Sequence, residues 1–383
     1  MIAPHGGTLV NCVVEGDART ALLAKAEGLA KITLNSREAS DLEMIATGAM
    51  SPLNGFMGAD DYNGVCDNMH LANGVAWPLP VVLSTKDGES AAAGDEVALV
   101  GEDGSVYGVM TVSDAYQPDK AAELTKCYQG DAEHPASDYL NSIGDTYVGG
   151  SIEVANLPTY EKHNEFRLTP AMTRAAFAEK GWDKVVAFQT RNPIHRAHEY
   201  LTKVAIEQVD GLLIHPLVGD TKADDIPSDV RMACYHALMA KYYPLDRTML
   251  AVYPQAMRYG GPREAILHAV CRQNYGCTHI IIGRDHAGVG SYYGTFDAQD
   301  IFKQFAEGEI LIETLLFEHA FYCKLTGGMA STKSSPAGPE DKIFLSGTKV
   351  RDMLAGGIRP PAEFTRPEVA DILIESYATP TNA

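Results

Sequence analysis

Residues 184–199 read Lys184-Val-Val-Ala-Phe-Gln-Thr-Arg-Asn-Pro-Ile-His-Arg-Ala-His-Glu199. The apolar run Lys184–Phe188 predicts a buried strand, and Pro193, tolerated in a first helical turn, predicts that a helix follows at once. Arg191, Arg196, His195 and His198 therefore crowd onto one strand-to-helix turn, with the two histidines three apart on one face. The unpaired N–H groups of a helix start add positive potential there. The turn reads as a polyanion site, with phosphate the natural guest.

Outward from this turn, strand-like runs at Gly211–His215, Thr248–Tyr253, His279–Gly283 and Ile310–Leu315 alternate with helical patterns at Ala197–Val209, Ser228–Tyr242, Pro262–Tyr275 and Asp297–Phe305. Such alternation predicts a parallel, doubly wound sheet whose ligand site lies at the carboxyl ends of its strands. Thr169-Pro170 opens the series as N-cap and first helical residue, ahead of a short helix Met172–Lys180 ended by Gly181. Upstream, Leu9–Leu168 carries short β-like runs at Leu9–Val14, Lys31–Leu34, Pro80–Thr85, Glu96–Val100 and Ser105–Val112, interrupted by one helix, Ser36–Met50. Downstream, Thr326–Asp341 is rich in Gly, Ser, Thr and Pro and reads as a long loop or hinge before a last small unit, Lys342–Ala383.

A formal net charge of −19 over 383 residues argues against a general nucleic-acid or anionic-membrane surface, which needs a basic stripe. An anion site must then be a local basic pocket. Met1–Cys12 has no basic region followed by an apolar core, and no later run reaches a spanning length, so a cytoplasmic protein is expected. Seven scattered cysteines with no Cys-x-x-Cys pair fit reduced thiols.

Three further segments fall at strand ends. Gly283-Arg-Asp-His-Ala-Gly-Val-Gly290 has glycines that admit a ligand to the backbone and an arginine whose fork suits a tetrahedral oxyanion, although a plain turn with a surface ion pair would read the same way. Met257-Arg-Tyr-Gly-Gly-Pro-Arg-Glu264 offers Arg258 and Arg263 to the same edge, or simply a Gly-Pro helix start with solvated arginines. In Leu345-Ser-Gly-Thr-Lys-Val-Arg351, Ser346 and Thr348 suit a helix cap, and Arg351 serves phosphate only if it faces the cleft. The His195/His198 spacing suits a shared metal, but no third ligand stands out and the neighbouring arginines would repel a cation. No metal site is expected.

Gln189-Thr-Arg-Asn-Pro-x-His-Arg-Ala-His-Glu199 and Gly283-Arg-Asp-His-Ala-Gly288 together resemble the two signatures of the ATP sulfurylase (sulfate adenylyltransferase) family. Ser51–Met57, Gly144–Gly150, Met257–His268 and Ser346–Leu354 also look like family segments. The resemblance implies an α/β protein with a PUA-like β domain (residues 1–168), a Rossmann-like nucleotidylyltransferase domain with a parallel sheet (169–326) and a small C-terminal α/β unit (327–383). It implies conversion of ATP and sulfate to adenosine 5′-phosphosulfate and diphosphate, in either physiological direction, with Mg²⁺ accompanying ATP. The broader nucleotidylyltransferase group, transferring AMP to another anion, is the alternative.

Carried over by position, the resemblance implies sulfate contacts from Gln189, Arg191, Arg284 and Ala287. ATP contacts would come from Gln189, Thr190, Arg191 and Asn192, from Gly283, Arg284, Asp285 and His286, and from Ala320. Thr190, Arg191 and Asn192 form the catalytic triplet, His195 and His198 stabilise the transition state, and Phe317 senses substrate. Some bacterial relatives bind zinc through cysteines starting at the position of Cys323, but the partner position here is Thr326, so no zinc is expected. No P-loop for a fused kinase is present. A homo-oligomer, with a dimer favoured, is the expected assembly.

Overall fold

A computed structural model describes residues 1–221, 225–345 and 347–378. Its first unit has strands β1 (Ala30–Leu34), β2 (Gly55–Phe56), β3 (Leu83–Ser84), β4 (Glu96–Gly101), β5 (Val106–Tyr116) and β6 (Tyr147–Val154) in one sheet of order β1-β4-β5-β6-β2, with β3 also on β6. Five helices surround it: α1 (Gly16–Ala26), α2 (Ser36–Ala46), α3 (Ala59–Asn68), α4 (Lys120–Tyr128) and α5 (Pro135–Ser142). The expected single helix is therefore α2, closed by a capping box between Asn35 and Glu38. The other four escape the periodicity reading because each buries little: α1 buries only Leu22 and Ala26.

Leu9–Val14 corrects to an extended segment with one isolated bridge, Val13 to Val154. Strand β6 was unexpected, since Gly149 and Gly150 break its pattern. The glycine is required there, because a Cβ at Gly150 would stand 2.1 Å from the Thr111 carbonyl on β5.

The second unit is a five-stranded parallel sheet of β7 (Val185–Thr190), β8 (Gly211–Pro216), β9 (Thr248–Leu250), β10 (His279–Ile282) and β11 (Glu313–Leu316), in the order β11-β10-β7-β8-β9. This is the doubly wound order, reversing direction between β7 and β10. Alternate residues feed two cores: Val186, Phe188, Leu212 and Ile214 face one, Val185, Ala187, Leu213 and Ile280 the other. Burial on both faces explains the continuous apolar strands, each Val, Leu, Ile or Phe side chain contributing about 1.5–3 kcal/mol.

The crossovers are α6 (Pro170–Glu179), α7 (Arg196–Ile206), α8 (Ser228–Tyr242), α9 (Gly261–Asn274) and the short α10 (Asp297–Asp300), which passes into a 3₁₀ turn, Ile301–Gln304. Helix α7 begins after Pro193, which stays in the preceding loop, and His195 is its N-cap. Every residue of α9 except Arg263 is buried. One face joins the sheet core through Ala265 and Ala269. Ile266, Leu267, Val270 and Cys271 join the core of the first unit.

The third region overturns the expected loop. Strands β12 (Ala320–Cys323) and β13 (Gly328–Ser331) form an antiparallel hairpin, and β14 (Lys342–Ile343) pairs with the other edge of β12. Helices α11 (Gly347–Ala355) and α12 (Pro367–Ala378) follow, with α12 contributing Val369 and Leu373 to the core shared with α8. Ser346 lies outside the described residues. No helix among the described residues is long and apolar enough to cross a membrane.

Candidate active site

Because β7 and β10 are neighbours at the reversal point, the segments leaving their carboxyl ends diverge around a cavity of ≈ 300 Å³. Gln189, Thr190, Arg191, Asn192 and His198 line it from the β7 side, Gly283, Arg284, Asp285, His286 and Ala287 from the β10 side, and Ala320 from the hairpin. His195 and Phe317 are not in the lining. Met257, Glu318 and His319 are, and the sequence offered no signal for them beyond their nearness to the segments around Arg258 and Ala320.

The β7 turn is held by its own polar groups. Thr190 Oγ1 accepts from Asn192 N–H at 3.0 Å and donates to the Asn192 carbonyl at 2.9 Å, which also accepts from the Tyr235 hydroxyl at 2.8 Å. Arg191, with 23% of its side chain exposed, meets Asp225 at 3.3 Å and lies 5.1 Å from the Tyr259 ring centre. A guanidinium so lightly tethered is available to an incoming anion.

The His195 ring stands 6.5 Å from that of His198, 4.9 Å from Phe364 and within 3.0 Å of Thr365 Oγ1 through Nδ1. The chain just before α12 thus orients it. Burial, helped by His198, lowers the His195 pKa to about 3, while burial and His319 lower that of His198 to about 4. Both rings are neutral at pH 7 in the free protein; the Pro193 carbonyl offsets part of the shift at His198, whose buried Nδ1 has no close hydrogen-bond partner among the described residues.

The β10 loop is conformationally committed. Asp285 and Ala287 have φ of 51° and 56°, each a left-handed residue costing on the order of 1–3 kcal/mol. Hydrogen bonds fix the turn: Asp285 N–H to the Thr295 carbonyl at 3.0 Å, Gly288 N–H to that of Asp285 at 3.1 Å, and Gly261 N–H to that of Ala287 at 3.1 Å. Arg284, 35% exposed, sits 3.9 Å from Asp285.

The other expected arginines go elsewhere. Arg258 is buried and donates from the single nitrogen Nη2 to both oxygens of Asp41, at 2.7 and 2.9 Å, tying the sheet unit to α2. Arg263 donates to the carbonyls of Val65, Cys66 and Pro78 in the first unit, so it is neither solvated nor in the cleft. Arg351 is exposed on α11 and absent from the lining.

No group of three or more His, Cys, Asp or Glu among the described residues is arranged to hold a metal. The acids lining the cavity are Asp285 and Glu318. One or two carboxylates suit a magnesium ion that arrives on a nucleotide's phosphates and keeps most of its water.

A family model described as ATP-sulfurylase matches residues 164–376, and one described as PUA-like domain matches residues 2–157. The chain belongs to the ATP-sulfurylase family. Among the ATP-sulfurylase relatives, the sulfate adenylyltransferase of Symbiobacterium thermophilum is 52% identical over 377 residues, covering 98% of this chain and 96% of that one. That of Acaryochloris marina is 52% identical over 375 residues, with 97% of each chain covered. A probable bifunctional SAT/APS kinase of Sorangium cellulosum is 54% identical over 379 residues, and the chain spans 65% of its length. Among solved structures, the hexameric APS kinase from Thiobacillus denitrificans superposes with a TM-score of 0.78 at 26% identity, covering 98% of this chain and 68% of that one. The N-terminal PUA-like unit, the central parallel nucleotidyltransferase-like sheet and the small C-terminal α/β region agree with this placement.

Proposed function

We propose that the cavity between β7 and β10 is where sulfate and MgATP meet, and that the chain is an enzyme converting them to adenosine 5′-phosphosulfate and diphosphate. One observation carries this reading: two basic segments, far apart in sequence, leave adjacent parallel strands and face each other across one basin. A weakly nucleophilic dianion must approach an anionic phosphate chain, so the site has to offset repulsion and hold an in-line geometry. Arg191 and Arg284 supply opposing guanidinium groups from the two walls. Gln189 and the backbone at Ala287 complete a sulfate seat without adding charge.

The nucleotide lies along Gln189–Asn192 and Gly283–His286, with Ala320 against its base. Thr190, Arg191 and Asn192 carry the transfer: Thr190 keeps the turn in shape, and Arg191 draws charge from the reacting oxygens. His198, neutral and on the cavity lining, donates to a phosphate oxygen. His195, behind it, serves the departing diphosphate. Phe317, whose N–H donates to the Ile282 carbonyl at 3.3 Å and whose own carbonyl takes the Gln299 amide at 3.0 Å, couples the β10 end to the hairpin. Direct displacement needs no protein nucleophile, and the reverse reaction uses the same seats.

We divide the chain into units at residues 1–168, 169–326 and 327–383; the β12–β13 hairpin bridges the second junction. A homo-oligomer is supported by the hexameric assembly of the Thiobacillus protein, which gives no support to the expected dimer; light scattering on this chain distinguishes a dimer from a hexamer. Seven free thiols support the cytoplasm as its compartment.

The decisive experiment is Arg191→Ala, assayed for sulfate-dependent diphosphate release from MgATP. Activity should vanish while the circular dichroism and thermal midpoint stay at the parent values. Retained turnover in a folded variant would reject the site.

A further inference from the structure

We propose that Glu264 and His268, sealed behind the cavity wall, are positioning residues that fix the ring tautomer of His286 and so present an acceptor nitrogen to a hydrogen-bond donor of the nucleotide. The proposal rests on the reading of the cavity as the MgATP seat. Glu264 and His268 are neighbours one turn apart on α9, and both side chains have no exposed surface. Burying an acid and an imidazole in the middle of so deeply buried a helix is costly unless each is fully engaged.

The Glu264 carboxylate is engaged on every side. Oε1 accepts from Arg258 N–H at 2.9 Å and from the Gln255 amide at 3.2 Å, Oε2 accepts from Gly260 N–H at 3.0 Å, and His268 Nε2 stands 3.6 Å away. Burial alone would raise this carboxyl. The neighbouring His268 imidazole and the two backbone N–H groups outweigh burial and hold it below its ordinary range, so it is an anion at pH 7.

That anion decides where the imidazole hydrogen goes. A lone pair on His268 Nε2 would face a full negative charge at 3.6 Å, whereas an N–H there is attracted, so the hydrogen stays on Nε2. The competing arrangement has the Gln255 amide, 3.4 Å from the same nitrogen, donating to it. That amide gives one N–H to Glu264, its oxygen being taken by the Tyr253 hydroxyl at 2.6 Å, and its second N–H is a neutral donor that the full charge of the carboxylate outweighs.

With Nε2 protonated, His268 Nδ1 is an acceptor, and it lies 2.9 Å from His286 Nε2. His286 must donate through Nε2, which leaves its Nδ1 bare. Its backbone is pinned by the left-handed residues on either side, and its ring meets that of His268 at 5.2 Å and 68°. Burial, aided by His268 and Arg272, lowers the His286 pKa to about 3, so the ring stays neutral. A neutral ring with a bare nitrogen cannot donate to phosphate. It suits the adenine amine, a ribose hydroxyl or a water on magnesium.

Nitrogen-15 spectra of the histidine-labelled full chain test this directly, with the His286 signals assigned by their loss in His286→Gln. The expected spectrum shows His286 protonated at Nε2 and bare at Nδ1 without any ligand. In Glu264→Gln that preference should be lost, and KM for ATP should rise about tenfold, as for one forfeited hydrogen bond, with KM for sulfate unchanged. His268→Gln is the second variant should Glu264→Gln fail to fold. Purine riboside triphosphate, 2′-deoxyATP and 3′-deoxyATP separate the donors: the one whose missing group is the partner shows no further loss in the variant, and a loss with all three assigns magnesium-bound water. Protonation of His286 at Nδ1 in the parent protein would overturn the relay, whatever the cavity binds. The expected tautomer with an unmoved KM for ATP would instead overturn the nucleotide contact.

Discussion

Arg258 and Arg191 bear the same group in opposite settings, and their substitution should read out differently. Arg258 is paired through Nη2 with Asp41, with almost no exposed surface, so Arg258→Ala leaves a buried carboxylate without its cation. We expect a loss of about 3–5 kcal/mol in urea denaturation, whereas Arg191→Ala should leave the denaturation midpoint near the parent value. The histidines make a second test at this scale. His195, His198 and His286 fall from an ordinary 6.5 to about 3 or 4 in the fold. The unfolded chain therefore binds more protons than the folded one between about pH 6.5 and 4, and stability rises with pH across that window. Thermal midpoints should fall progressively from pH 7 to pH 5, and His198→Gln should flatten part of that slope. His195→Ala should lower kcat far more than it raises the Kd for ATP, since its contact is expected to tighten as diphosphate departs. Equal losses would make His195 a binding residue only. The segments around Arg191 and Arg284 were legible because chemistry and sequence position coincide there. The fate of Arg258 was not: its partner lies 217 residues away, and a guanidinium beside Gly-Pro reads the same whether it meets phosphate or Asp41.

Helices and strands were legible where apolar residues run unbroken or between clear start and stop signals, and α9, buried almost throughout, was still found from its Gly-Pro start. Ser228–Tyr242 was read to the residue, and all five parallel strands were found, the inner ones because sheet cores on both sides demand unbroken apolar runs. Helices α1, α3, α4 and α5 bury too few side chains to leave a period, and the β12–β13 hairpin hides in a segment whose glycines suggested only a loop. The start of α7 moved past Pro193, which placed His195 at a cap, not inside a turn. Strand β6 gives this scale its prediction. Gly150→Val would drive a side chain into the Thr111 carbonyl and should break the β5–β6 pairing. We expect loss of soluble protein or a drop of at least about 3 kcal/mol in stability, while Gly28→Ala, where a Cβ would meet only the Lys25 carbonyl at 3.9 Å, should cost far less.

Across the whole molecule the two large units share one interior. Ile266, Leu267, Val270 and Tyr275 belong to the same core as Ile32, Leu42 and Trp77. The amide of Asn274 donates to the carbonyls of Ala49 and Ser51, and Ser40 Oγ donates to that of Pro254. Calorimetry should therefore record a single cooperative transition, and residues 164–378 produced alone should not unfold cooperatively. A two-peaked thermogram would show that the shared core does not couple the units.

A fused interior also settles how reactants travel. Substrates and products must pass through the mouth at the strand ends, in a basin whose outline is set before anything enters. Admission then depends on loop and side-chain motion, not on a clamshell swing, so nucleotide binding should bring only a modest heat-capacity change and little alteration in small-angle scattering.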